Sequence, residues 1–333
     1  MQRPTRVALA LGAGGARGYA HIGVLDVLEE RGYEIVSIAG TSMGAVIGGL
    51  HAAGRLGAYA DWVRTLNQRD VLRLLDPSLT APGAIRADKI VGKVADLLSG
   101  AVIEQLPIAY TAVATDLLAG KEVWFQQGPV DTAIRASIAL PSFIAPAMLN
   151  GRLLVDGGLL NPIPVAATAA SSADLTIAVS LSDAPFTSPG TAPVHATSEP
   201  LPSEQWPDRL RRPASQLLDH DLMRTLAAWL TNGRDAPDDE PGAASGDEET
   251  DQLREQVFGE PPPGLRTLDV MRLSLEALQS VVTRYRLAGN PPDLLITIPK
   301  TSCRTLDFHR AEEMITLGRE RTIAALDRPA PVD

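Results

Sequence analysis

The sequence predicts an α/β fold, a mostly parallel central sheet with helices on both faces. Three observations predict it. Short apolar runs of strand length recur along the chain, several of them closed by Gly, Ser or Asp. Between them lie segments whose apolar residues fall three and four apart. The two patterns alternate from the first residues onward. With 333 residues, 45% apolar and 21% charged, the chain can bury the core such a sheet needs, and its composition is neither disordered nor collagen-like.

The elements follow in order. Val7–Gly12 (VALALG) reads as a strand buried on both faces, and Ile22, Leu25, Val27 and Leu28 as the helix after it, ending at Gly32. Arg3 and Arg6 before Val7–Leu11 imitate a signal peptide, but Arg17 arrives where the apolar region should continue, so a buried strand is the reading. Ile35–Gly54 carries no Asp, Glu, Lys or Arg. It is rich in Gly, Ala, Ser and Thr rather than Leu, which fits a strand to Gly40 and a helix from Met43 to Ala53 better than a membrane span.

Helices are expected at Tyr59–Leu66, Asp88–Leu98, Val130–Leu140 and Pro164–Ala170. Strands are expected at Ile108–Ala114, Glu122–Phe125, Arg152–Val155, Leu175–Leu181 and Leu294–Ile298. Leu268, Met271, Leu275, Leu278, Val282 and Tyr285 form a helical core stripe, and closing helices start at Asp307. Residues 1–183 and 264–333 therefore read as one core interrupted by an insert at 184–263. That insert is rich in Pro, Ser, Gly and acids, with an amphipathic helix near 214–232 carrying Leu218, Leu222, Leu226, Trp229 and Leu230.

Charge and cysteine content narrow the function. The net charge is −10, and residues 199–260 alone hold fifteen acids against six bases, leaving 25 acids and 24 bases elsewhere. No basic face of the kind that binds nucleic acid is visible. The single cysteine, Cys303, excludes an internal disulfide framework and a Cys-rich zinc site, and a reducing, cytoplasmic setting is the expectation.

The residues that bear chemistry gather at strand ends. Gly40-Thr41-Ser42-Met43-Gly44 is a G-x-S-x-G between an apolar strand and a helix. A strained strand-to-helix turn of small residues lifts a serine hydroxyl over the positive end of the helix, which favours a nucleophile over a simple helix cap. Ala13-Gly14-Gly15-Ala16-Arg17-Gly18 lies between the first strand and its helix, facing the same sheet edge. Gly12, Gly14 and Gly18 depart from the dinucleotide spacing, so an oxyanion-binding loop is the better reading. Arg17 reads equally as a helix-end salt bridge or as a residue that fixes this loop or meets a phosphate.

Asp156 ends the strand Arg152–Val155 and precedes Gly157 and Gly158. On its own this is a turn; beside a serine nucleophile it is a candidate base. None of the five histidines has a compelling catalytic context. His21 and His51 read as packing or capping residues, His195 and His220 fall in the insert, and His309 sits at a helix start.

AGGARG at 13–18, GTSMG at 40–44 and DGG at 156–158, in that order, resemble the patatin-like phospholipase family, especially its compact bacterial members. Ala136-Ser137 through Pro141, Pro146, Gly151-Arg152 and Asn161-Pro162-Ile163-Pro164 are similar to the family's run into and out of its aspartate. The resemblance implies a three-layer α/β/α sandwich and a Ser–Asp dyad without histidine, with Ser42 as nucleophile and Asp156 as general base. It also implies an oxyanion hole from the loop of Ala13, Gly14, Gly15, Arg17 and Gly18, and no metal or cofactor. Ala13 stands where the family usually has a glycine, a replacement that removes φ values only glycine allows.

The implied activity is hydrolysis of lipid carboxylic esters, with transient contact at a membrane surface. The alternatives are a Ser–His–Asp esterase and a non-catalytic lipid-binding or regulatory protein on the same fold. The motifs do not distinguish phospholipid, lysophospholipid, glyceride or short soluble esters, and the sequence sets no oligomeric state.

Overall fold

The computed structural model describes residues 3–75, 88–141, 144–182 and 267–328. All of them belong to one compact unit formed by the chain up to residue 185 and from residue 266 onward. The expected insert and its amphipathic helix lie outside the described residues. The unit is a three-layer α/β/α sandwich around a mixed eight-stranded sheet.

The strands are β1 (Arg6–Leu11), β2 (Glu34–Thr41), β3 (Ala109–Asp116), β4 (Lys121–Phe125), β5 (Ala147–Leu149), β6 (Arg152–Asp156), β7 (Leu175–Ser180) and β8 (Leu294–Thr297). Their order is β5-β6-β3-β2-β1-β7-β8, with β4 paired to β3. β3, β2, β1, β7 and β8 run parallel, whereas β4 and β6 both pair antiparallel with β3, and β5 antiparallel with β6.

The helices are α1 (Ala20–Glu30), α2 (Met43–Ala52), α3 (Leu56–Arg64), α4 (Gln68–Leu75), α5 (Asp88–Leu98), α6 (Val130–Ser137), α7 (Thr267–Gly289) and α8 (Ala311–Leu326). The composition of β1 shows why the layers are unequal. Val7, Leu9 and Leu11 enter the large core with residues of α1, α2, α3, α6 and α8. Ala10 points the other way, where Ile163, Val165, Ala178 and Leu287 of α7 close over it. Alternation of side chains across a strand sends the bulky residues to one face and leaves an alanine where the second layer approaches.

Several expectations need correction. The helix expected at Pro164–Ala170 is only a tight 3-10 turn, Val165–Thr168, held by Ala167 N–H to Pro164 O and Ala169 N–H to Ala166 O. The helix expected to reach Leu140 ends at Ser137: the Ala139 and Leu140 N–H groups turn to the Ala136 and Ile138 carbonyls instead of the i−4 ladder, ahead of Pro141, and the Ala139 carbonyl accepts from the Asp156 N–H at 2.9 Å. The closing helices are a 3-10 turn at Lys300–Ser302 and one α-helix from Ala311, rather than helices from Asp307. Helix α4 and strand β5 were not expected. The charge-free segment Ile35–Gly54 is β2 followed by α2, and no helix among the described residues is long and apolar enough to cross a membrane.

The two faces of β1 respond to opposite changes. Leu9→Ala, at a fully buried position, is expected to destabilise by about 2–5 kcal/mol through a cavity. Ala10→Leu, equally buried, is expected to destabilise by about 1–3 kcal/mol through overpacking. Denaturant unfolding of the two variants checks both values.

Candidate active site

Strand β3 brings the two strand-end motifs together. Its first half pairs with β2, ending with Val113 opposite Thr41. Its second half pairs with β6, starting with Ala114 opposite Asp156. Ala112–Asp116 also pair with β4, so β2 and β6 must share the other edge of β3 in succession. Ser42 leaves β2 just where β6 delivers Asp156, close enough for the Ser42 side chain to lower the pKa of the Asp156 carboxyl.

The turn at Ser42 is strained and held. Ser42 has φ 57° and ψ −122°, a left-handed backbone that costs energy for a residue with a Cβ. Its N–H donates to Ser137 Oγ at 2.9 Å, and that hydroxyl donates to Val113 O at 2.6 Å. The Ser42 carbonyl accepts from Ala45 and Val46 as α2 begins. Gly44 is needed for a close approach: a Cβ there would lie 2.1 Å from Leu11 O, so the turn presses directly on β1. The other flanking glycine, Gly40, faces the Gly44 backbone, while Thr41 is fully buried and donates from Oγ1 to Asn161 O at 2.9 Å.

Asp156 is 2% exposed. Its Oδ1 accepts from Gly158 N–H at 2.7 Å, and Gly157 packs against the Val113 carbonyl. Burial pushes its carboxyl up to about 6, with the hydrogen bonds from Ser42 and Gly158 opposing. A group of this kind takes a proton near neutrality, as a general base must.

The loop at 13–18 splits into donors already engaged and donors without an acceptor among the described residues. Ala13 N–H donates to Pro162 O at 2.9 Å and Ala16 N–H to Thr305 O at 2.9 Å. Ala13 therefore differs from its expected place in the oxyanion hole, because its donor is already committed. Alanine adds no backbone strain there, since Ala13 is not among the described residues with positive φ.

The Gly14 and Gly15 amides meet no acceptor among the described residues, at the start of a 3-10 turn, Gly15–Tyr19, where helical N–H groups are unpaired. Gly15 has φ +57°, and a Cβ there would sit 2.4 Å from Thr305 O. Gly18 packs against the Met43 side chain. Arg17 fixes this loop, one of the roles expected of it. It donates to the carbonyls of Leu181 (3.1 Å), Lys300 (3.3 Å) and Cys303 (3.0 Å), tying the loop to the segments after β7 and β8.

Four residues, Ser137, Asn161, Pro162 and His21, hold positions that the sequence did not reveal. Ser137 holds the nucleophile turn. Asn161 and Pro162 offer carbonyls to Thr41 and Ala13, so the chain after Asp156 clamps both neighbouring motifs. His21 is fully buried with Nε2 2.9 Å from Gly12 O, and burial lowers its pKa to about 4. The neutral ring therefore donates to that carbonyl and fixes the start of the loop. His51 lies 3.6 Å from Glu29 at the far end of α2. Among the described residues the side-chain hydrogen-bond partner of Ser42 is Ser137, and no histidine bonds to it. His195 and His220 lie outside the described residues, and among the described residues no cluster of His, Cys, Asp and Glu could hold a metal.

The sequence profile of the patatin-like phospholipase family matches residues 9–169. The uncharacterized NTE family protein Rv1063c of Mycobacterium tuberculosis is 49% identical over 335 residues, covering 97% of this chain and 91% of its own length. Patatin-like phospholipase domain-containing protein 6 of Mus musculus is 32% identical over 181 residues, 52% of this chain and 13% of that protein. The crystal structure of VipD from Legionella pneumophila aligns with a TM-score of 0.44 at 15% identity, covering 98% of this chain and 67% of that one. The chain belongs to the patatin-like phospholipase family.

Two outcomes follow from this geometry. Ser137→Ala leaves the Ser42 N–H and the Val113 carbonyl without their partner, at a position with no solvent access. A loss of about 1–3 kcal/mol in unfolding free energy is expected, and Ser137→Thr, which keeps the hydroxyl, is expected to recover part of it. Asp156→Asn removes a buried carboxyl whose folded pKa of about 6 lies above the ordinary carboxylate value of 3.8. The folded state therefore holds its proton more tightly, so this group's contribution to stability falls as pH rises from about 4 to above 6. The asparagine variant is expected to gain up to about 3 kcal/mol over wild type at pH 8 and nothing near pH 3, read by denaturant unfolding at the two pH values.

Proposed function

We propose that this protein is a serine acyl hydrolase that cleaves lipid carboxylic esters through Ser42 and Asp156. Family membership supports lipid ester hydrolysis. The observation that carries the finer reading is the register that ends β2 and β6 next to each other on β3, which sets Ser42 beside a buried carboxyl with a raised pKa. A serine hydroxyl needs a base to become a good nucleophile, and Asp156 is the group placed to be that base.

In the first step the Ser42 proton passes to Asp156 as Oγ bonds to the ester carbonyl carbon. The carbonyl oxygen becomes an oxyanion, for which the uncommitted Gly14 and Gly15 amides are the proposed donors. The tetrahedral centre then collapses, the carbon–oxygen bond to the alcohol breaks, and the alkoxide leaves with the proton held by Asp156. In the second step Asp156 takes a proton from water as the water oxygen attacks the acyl-serine. The fatty acid departs, and Ser42 recovers its proton. The substrate class proposed is a phospholipid or lysophospholipid acyl ester.

Release of free fatty acid from a panel of phospholipids, lysophospholipids, glycerides and short-chain esters, followed by mass spectrometry, tests the reading. Wild type is expected to release acid from at least one lipid class and Ser42→Ala from none. Asp156→Asn is expected to lose most turnover, by about a hundredfold or more, while His309→Ala keeps it. Full turnover in a folded Asp156→Asn protein, or its loss in His309→Ala or His220→Ala, would instead support a Ser–His–Asp enzyme. No release from any substrate would support a binding role.

A further inference from the structure

The edge of the sheet that carries Ser42 also carries an apolar projection. Strand β3 runs past the site, and the turn at 117–120 that joins it to β4 stands roughly 15 Å beyond Val113, at about 3.3 Å per strand residue. The turn is built rather than loose: Ala119 N–H donates to Asp116 Oδ1 at 3.1 Å, Gly120 has φ +61°, and Leu117 N–H donates to Leu153 O at 2.9 Å. Turns at the surface are usually polar. This one presents Leu117 at 46% and Leu118 at 77% exposure. Met148 of β5, which pairs with Leu153, adds a third apolar side chain at 67% exposure. Two exposed cations flank the group, Lys121 at the start of β4 and Arg152 at the start of β6, the latter 57% exposed and 4.0 Å from the Asp116 carboxylate.

We propose that this turn, with Met148, is the surface by which the protein docks on a phospholipid bilayer, the leucines entering the acyl region and Lys121 and Arg152 meeting headgroup phosphates. Three side chains expose far less area than the roughly 1,200 Å² a stable protein interface buries. A bilayer requires no such area and no shape match, only apolar tips backed by cations that can reach the headgroups. The surface lies on the edge where the proposed hydrolysis takes place, so docking would bring ester bonds to Ser42. The purpose of the surface rests on the hydrolase reading; its test does not.

Flotation of the full chain with phosphatidylcholine vesicles, with and without phosphatidylglycerol, reads the docking directly. Wild type and Ser42→Ala are expected to float alike and more strongly with phosphatidylglycerol. Leu117→Asp/Leu118→Asp is expected to lose about tenfold or more of its partitioning. Leu72→Asp, an equivalent change at an exposed leucine of α4, is expected to keep it. Turnover of a water-soluble short-chain ester is expected to be the same in wild type and the double variant. The proposal is overturned if wild type does not float, if the double variant floats as well as wild type, or if Leu72→Asp loses as much. It is also overturned if the double variant loses soluble-ester turnover, or if it dissolves a dimer without changing vesicle binding. Absence of ester turnover in wild type would remove the hydrolase reading and leave the flotation result to decide the surface.

Discussion

The site depends on one register. Strand β3 pairs with β2 up to Val113 opposite Thr41, and on the same edge with β6 from Ala114 opposite Asp156. Two strands of opposite direction thus meet end to end along a single edge, and the residues at the junction are the serine and the aspartate. Everything around the junction holds it. Ser137 bridges the Ser42 N–H and the Val113 carbonyl, the Ala139 carbonyl fixes the Asp156 N–H, and the chain after Asp156 offers Asn161 O and Pro162 O to Thr41 and Ala13. A slip of one residue in β6 would turn the Asp156 side chain to the other face of the sheet.

The same junction sets the electrostatics. A buried carboxylate is costly to ionise, and Asp156 has only the Ser42 hydroxyl and the Gly158 amide to offset the loss of water. Its proton affinity rises into the range where a base works near neutral pH. Stability is traded for this property, since the folded state would be better served by a neutral residue at that position. The strained backbone of Ser42 is a second cost accepted in the same few residues. Around these residues β1, the end of β2 and the start of α2 are almost fully enclosed.

Local chemistry made part of this legible in the sequence. G-x-S-x-G can be read because Gly44 must lie against Leu11 O and the turn must be tight, so steric need and motif coincide. Asp156 and its two glycines can be read for a similar reason. What stayed hidden depended on pairing between distant residues. The division of the β3 edge between β2 and β6 joins residues about 40 and 70 positions away from it in the chain, and no local pattern encodes that. Ser137 looked like any helix residue until the fold placed its hydroxyl between Ser42 and Val113. The loop at 13–18 was legible as a set of candidate donors, but Ala13 N–H proved to be spent on Pro162 O, a contact about 150 residues long-range. The helix expected at Pro164–Ala170 shortened to a 3-10 turn, where the Thr168 and Ser171 hydroxyls take the Val165 and Thr168 carbonyls.

The claim at the centre is that Asp156 activates Ser42. The rate at which a fluorophosphonate probe labels Ser42, followed by intact mass as a function of pH, tests it most directly. With Asp156 as the base, labelling is slow while its carboxyl is protonated and rises through an apparent pKa near 6 to a plateau. In Asp156→Asn it is slow and flat across the same range. A rise through the same pH in Asp156→Asn, or fast labelling of wild type at pH 4, would contradict it.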